Sequence, residues 1–296
     1  MAIQISDNMR GAAFMSISMA AFVFNDTTMK LVSEHLNMFQ AIFLRGVFTT
    51  GLLLAVVIYK KAIVYNIPKT DRWTLGCRLI GEVGGTVCYL TALFHMPIAN
   101  ATAILQALPL AVTLAGAIFL REAVGWRRYL AISVGFAGVL MIVRPGSDGF
   151  NEFSVWAIIA VAFVVLRDLS TRRLSYAIPS LFVALLTSIA ITIVGGILSF
   201  TTDWKPVSND AFMLLCIAAG FVIFGYLFSV MAMRVGEISF SSPFRYTILI
   251  WAIILGIVVF GDIPDHWTIL GSFIIVISGV YTFYRERYVG QLARKA

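Results

Sequence analysis

Charge is what this chain of 296 residues has least of: Asp, Glu, Lys and Arg together make up 12% of it, against roughly 25% in ordinary soluble domains. With 60% hydrophobic residues, it has no polar stretch long enough to fold as a soluble domain of roughly 50 residues. Walker A, GxSxG and HExxH patterns are all missing, which removes the usual signatures of nucleotide-driven and hydrolytic chemistry. Cys77, Cys88 and Cys216 are the three cysteines. They lie in or beside apolar runs without CxxC spacing, so they read as packing residues rather than as a metal site or disulfide framework. The three histidines, His35, His95 and His266, fall at the ends of apolar runs with no ligand spacing, so no metal and no cofactor are expected. The polar opening, residues 1–10, leads into an apolar run longer than a cleavable signal and carrying Asn25, Asp26 and Lys30 in its second half; no signal peptide is expected.

What is abundant is apolar sequence in lengths that match a hydrocarbon core of roughly 30 Å. Ten such runs are read at 11–33, 38–59, 73–94, 99–120, 129–143, 153–165, 178–200, 211–233, 239–260 and 267–284. The fold class is therefore an all-α membrane protein, one membrane domain over 1–296. The net charge of +7 could suggest nucleic acid, but the Lys and Arg residues sit in short segments between apolar runs, where membrane orientation places them. With the N-terminus inside, sixteen of the twenty-two fall on the inner side, among them Lys60, Lys61, Arg127, Arg128, Arg172 and Arg285. Only Lys30, Arg144 and Lys205 fall outside, and Arg45, Arg78 and Arg245 lie within spans. That asymmetry predicts an N-in, C-in topology with an even number of spans, partners that are lipid and a small solute, and no nucleic acid.

The two halves echo one another. Displacing 99–138 by about 140 residues pairs Thr102 with Ser241 or Ser242, Glu122 with Asp262, Trp126 with Trp267 and Gly138 with Gly279. Asn25-Asp26 likewise falls on Arg167-Asp168. Five spans per half is an odd number, so the second copy must enter the membrane from the opposite side. Two inverted five-helix repeats, 11–145 and 151–287, are the construction of secondary transporters, with a solute site between the halves.

These features resemble the drug/metabolite transporter superfamily, EamA type, over essentially the whole chain. The likeness rests on the paired halves, on Asn25-Asp26 with Lys30, on Phe43-Leu44-Arg45, and on Glu122 and Asp262 placed before Trp126 and Trp267. Within the superfamily, Pro243-Phe244-Arg245-Tyr246 is similar to the bacterial riboflavin and S-adenosylmethionine uptake branches. The resemblance implies the bacterial inner membrane, alternating access, and uptake of a vitamin or nucleoside-like metabolite, with riboflavin first and S-adenosylmethionine second. Export of amino acids or drugs is the same fold run in the other direction, and a homodimer is a partner state it allows.

Arg245, in the run 239–260, is the charge most in need of an explanation. A guanidinium inside a membrane helix costs roughly 2.5–3.5 kcal/mol on insertion scales and is usually aimed at a cavity, a partner or a solute. Its five donors suit a carboxylate, phosphate or ring carbonyl, and its plane can stack on an aromatic. Snorkelling to the nearby interface is the alternative. Tyr246 stands beside it, and Asn100, Thr102 and Gln106 hold the corresponding part of the first half. Those three can read an amide or heterocycle, or simply glue helices. Tyr89, with Phe94, Tyr226 and Phe244, offers aromatic surface for a flat solute. Asp26 and Arg45 can form a pair that either fixes the first two helices or breaks on solute binding. Glu82 is either the local partner of Arg78, four residues before it, or a carboxylate facing a cavity once Arg78 snorkels away. In that second case Glu82 and Asp26 are the candidates for proton coupling. An intramembrane enzyme using these two as acid and base lacks a nucleophile with a base beside it, so the chain is read as a transporter and not an enzyme.

Overall fold

The computed structural model describes residues 7–64, 67–119, 125–147, 150–175, 178–235 and 238–295. Within these, every regular element is helical: α1 (Asp7–Val32), α2 (Met38–Tyr59), α3 (Lys69–His95), α4 (Ile98–Leu105), α5 (Leu108–Phe119), α6 (Trp126–Val143), α7 (Phe153–Arg173), α8 (Ser180–Ser199), α9 (Asn209–Arg234), α10 (Ile238–Ser241), a 3-10 turn (Ser242–Tyr246), α11 (Thr247–Phe260) and α12 (His266–Lys295). Nine spans among the described residues are long and apolar enough to cross a membrane. The helix missing from that set is α1, whose 26 residues suffice in length but whose apolar run is diluted by Asn25, Asp26, Thr27, Thr28 and Lys30. The chain is a multi-pass membrane protein.

The two shortest expected spans prove longer than their apolar runs. The run 129–143 gains a first turn that begins at Trp126, and 153–165 continues through Arg167 and Asp168 to Arg173. Hydropathy drops at those charges, yet the helical backbone does not, because Arg167 and Asp168 satisfy each other (2.9 Å) and are good enough helix residues to continue it. The reverse holds for the run 239–260. It is not one helix: α10 stops after four residues, and the chain tightens into the 3-10 turn before α11 begins. Pro243, at the start of that turn, has no amide hydrogen for an α-helical bond back to residue 239. The run 99–120 is interrupted too, between α4 and α5 at Gln106 and Ala107, just before Pro109. Glu122, one of the paired acidic residues, lies outside the described residues.

The helices gather into two compact units that do not follow the halves of the chain. One comprises 1–27, 96–154 and 221–296, the other 28–95 and 155–220. In the first, α6 packs along α12 and α4 against α11. Ser18 of α1 donates to the Gly225 carbonyl of α9 (2.7 Å). In the second, α2 packs along α8, with the Thr50 hydroxyl within 2.8 Å of Ser188 and 3.1 Å of Thr192. There α3 also crosses α7 so closely at Gly81 that an added methyl would stand 2.7 Å from the backbone of Phe163 and Arg167. Small residues at crossings are how membrane helices gain contact when lipid and protein are equally apolar. The four tryptophans at helix ends, Trp73, Trp126, Trp204 and Trp267, are each at least half exposed, as interfacial anchors should be.

The second unit holds a polar latch that hydropathy does not reveal. Asn37 caps α2 by accepting from the Gln40 amide (2.9 Å), and its side-chain amide donates to the Asp203 carbonyl (2.8 Å). Gln40, fully buried, donates to the Lys205 carbonyl (2.7 Å) and accepts from the Lys205 amide (3.1 Å). Its side chain thus takes the place of a backbone partner for the segment between α8 and α9. Gln40→Ala is expected to lower stability by about 1–2 kcal/mol, the worth of two such bonds when water can reach the freed backbone. Thermal unfolding in detergent reads this, with faster proteolytic nicking near Lys205 as the local signature.

Candidate functional site

The first unit carries most of the expected solute ligands. Arg245 lies in the 3-10 turn and is exposed, whereas Tyr246, the next residue, is buried. A 3-10 turn advances about 120° per residue, so neighbours diverge sharply and one points out while the other points in. The Tyr246 hydroxyl reaches Gly279 of α12, where no side chain other than hydrogen leaves room for it. Thr102 in α4 is fully buried, Gln106 at its C-terminus is buried, and Asn100 is half-buried. Asn100 Oδ1 accepts from the Thr268 hydroxyl of α12 (3.2 Å), so one of the three is already engaged in joining helices.

Besides Thr27 Oγ1 of α1, three buried hydroxyl groups of this unit have no hydrogen-bond partner among the described residues: Thr102 Oγ1, Ser241 Oγ and the Tyr246 hydroxyl. Unpaired buried hydroxyls are costly, about 1–3 kcal/mol each. Their places in the chain are related. Thr102 and Ser241 are counterparts in the two halves, and the α4–α5 break at Gln106 stands opposite the end of the 3-10 turn at Tyr246 under the same displacement of about 140 residues. Both breaks loosen backbone groups from helical bonding at matching points, which membranes tolerate only where protein or a hydrated cavity can satisfy them.

Asp26 belongs to this unit as well. It is half-buried and accepts from the side-chain amide of Asn25 (2.9 Å). One turn or less away, Phe24 stacks on Phe221 with ring centres 5.1 Å apart, and Trp251 lies tilted at 6.5 Å. This aromatic trio, drawn from α1, α9 and α11, escaped the sequence reading, which singled out Tyr226 and Phe244. Tyr226 is 56% exposed with its ring edge-on to Phe22, and Phe244 packs on Phe240 (5.9 Å). The signal available beforehand was the position of Trp251, five residues after Tyr246.

Arg45, Tyr89 and Glu82 are in the second unit. Arg45 and Tyr89 are half-buried, and Tyr89 is seven residues after Glu82, two turns along the same face of α3. Glu82 is buried and held by two arginines: Arg78 at 3.6 Å and Arg167 of α7 at 3.3 Å. Arg78 does not snorkel away. Its side chain is 14% exposed and its guanidinium also donates to the Thr187 hydroxyl of α8, while the close crossing at Gly81 brings α7 and the head of Arg167 onto the same carboxylate. Arg167 in turn binds Asp168. The four charges form a neutral chain that ties α3 to α7 and, through Thr187, to α8. Sequence reading supplied only the Arg78–Glu82 step, since Arg167 lies 85 residues from Glu82. No cluster of metal-ligating side chains occurs among the described residues.

Comparison with known proteins bears on what such a helical arrangement does. The EamA-like transporter family matches the chain twice, over residues 9–144 and 153–284. The chain belongs to the EamA-like transporter family. This EamA-like transporter is 24% identical over 280 residues to the S-adenosylmethionine uptake transporter of Rickettsia prowazekii, covering 94% of each chain. It is 31% identical over 204 residues to the riboflavin transporter of Vibrio cholerae, 68% of each chain. A pseudopaline exporter of Pseudomonas aeruginosa is 27% identical over 273 residues, 88% of this chain and 92% of the exporter. The EamA-like transporter is thus a membrane transporter, and its family implies a small-molecule solute.

Proposed function

We propose that this transporter carries a small organic metabolite with a planar heterocycle across the bacterial inner membrane by alternating access, with riboflavin uptake as the first assignment and S-adenosylmethionine uptake as the second. The observation that carries the solute reading is the pair of broken helices, α4–α5 and α10–α11. Together they bring an exposed guanidinium at Arg245 and three buried hydroxyls without a hydrogen-bond partner among the described residues into one unit. Arg245 contacts a carbonyl or carboxylate of the solute or stacks on its ring, Tyr246 supplies a hydroxyl, and Thr102 and Gln106 read its polar edge. Phe24, Phe221 and Trp251 supply aromatic surface.

The inverted repeat, N-in and C-in, is part of the same proposal. What supports it is the pattern of helix pairing: α2 with α8, α4 with α11 and α6 with α12 join second to second, fourth to fourth and fifth to fifth. The contacts of α1 with α9 and of α3 with α7 exchange first and third. Swapping the halves returns the same set. Asp26 and Arg45 are proposed as gating residues, and Asp26 as the carboxylate that couples to protons.

The kinship with an uptake protein and an exporter makes direction an experimental matter. Purified protein in liposomes is expected to accumulate labelled riboflavin, less readily labelled S-adenosylmethionine, and to do so faster with the interior alkaline. Flux of S-adenosylmethionine alone would reverse the order of the two solutes. Flux of neither would refute both, and a pH gradient without influence would remove Asp26 from its coupling role.

A further inference from the structure

Within the first unit, three contacts set the register of α6 against α12. Arg144, which ends α6, pairs with Asp265 just before α12. Gly138 and Gly271 oppose each other, methyls built on them meeting the other's carbonyl at 2.9 and 2.6 Å. Further along, a methyl on Gly135 would meet Ser278 Oγ at 2.6 Å. The two helices therefore run antiparallel, and the same register brings the first turn of α6 level with Tyr281 and Arg285 of α12. From that end a groove of about 370 Å³ opens between them, walled by Leu130, Val134 and Ile277 and headed by Trp126, Arg127 and Tyr281.

The groove is amphipathic along its length. Trp126, Leu130 and Val134 recur every four residues, as do Ile277 and Tyr281, so each helix gives one stripe to it, and all five are 44–70% exposed. Its cation is confined to one end, where the Arg127 guanidinium lies 5.4 Å from the centre of the Trp126 ring. Indole at a helix end marks the level of lipid headgroups. The stretch from Trp126 to Val134 offers about 12 Å of wall at 1.5 Å per residue, matched to the upper part of an acyl chain.

We propose that this groove is a binding site for one anionic phospholipid, its phosphate on Arg127 and one acyl chain along Leu130, Val134 and Ile277. Charge complementarity favours a lipid over a second copy of the chain. A twofold pair built on α6 and α12 would set Arg127 against its own equivalent, whereas an anionic headgroup neutralises it. The site is separate from Arg245 and does not depend on which solute is carried.

Native mass spectrometry of the full chain in neutral detergent tests this directly, titrating phosphatidylglycerol and phosphatidylcholine of identical acyl chains. Phosphatidylglycerol is expected to be retained about fivefold more strongly, the contribution of one basic residue at a membrane surface. Arg127→Gln is expected to bring it down to the phosphatidylcholine level, with the unfolding temperature of the lipid-free protein unchanged. Val134→Trp, which fills the groove, is expected to weaken both. Equal retention of the two lipids by the parent, or a preference that survives Arg127→Gln, overturns the site. So does a dimer that Val134→Trp dissociates, which would make the groove an interface between copies.

Discussion

Arg245→Ala is expected to reduce solute flux in liposomes about tenfold or more while leaving thermal unfolding in detergent unchanged. The size follows from losing charge-assisted hydrogen bonds, about 1.5–3 kcal/mol. The unchanged stability is expected from the exposure of Arg245 on the 3-10 turn. Arg245→Lys keeps the charge but not the planar fork, so it should recover flux only in part. Tyr246→Phe distinguishes a solute contact from a packing residue. Its hydroxyl is buried without a hydrogen-bond partner among the described residues; removing it should raise stability modestly, and flux should fall if that hydroxyl serves the solute. Parental flux in both Arg245→Ala and Tyr246→Phe would remove this turn from the solute path.

The second large effect is on stability. Glu82→Leu removes the carboxylate shared by Arg78 and Arg167 and leaves two guanidiniums with reduced compensation. Breaking a buried pair from one side typically costs about 3–5 kcal/mol. Here about 3 kcal/mol is expected, because Arg167 keeps Asp168 and Arg78 keeps Thr187. Unfolding in detergent measures it, and Glu82→Asp should lie between variant and parent. Glu82→Gln separates the clamp from a coupling role. Under the clamp reading the variant is less stable, but each folded molecule still responds to a pH gradient. Loss of that response with stability retained would return Glu82 to the coupling carboxylates.

Hydropathy resolved the helices best where nothing polar complicates them. The run 38–59 and α2 coincide residue for residue, since an unbroken apolar stretch has only one low-energy form in hydrocarbon, a helix with every backbone bond internal. The same logic failed in opposite directions at two places. At 153–165 it ended the span two residues before Arg167, because a hydropathy sum cannot know that Asp168 and Glu82 accept that charge. At 239–260 it saw one continuous span, because Pro243 changes the hydrogen bonding of the backbone without changing the apolar count.

The sequence by itself determined that this is a helical membrane protein with related halves, and that Arg245 and Glu82 are the charges needing partners. Apolar length and the cost of a charge in hydrocarbon act locally along the chain, and so can be read from it. Tertiary structure alone decided that Arg245 faces outward while Tyr246 turns in, that Glu82 is clamped from α7, that Gln40 latches the segment before α9, and that Phe24, Phe221 and Trp251 meet. Each of those depends on the rotation of one helix against another, which small residues such as Gly81 and Gly279 permit but which only the packed helices specify.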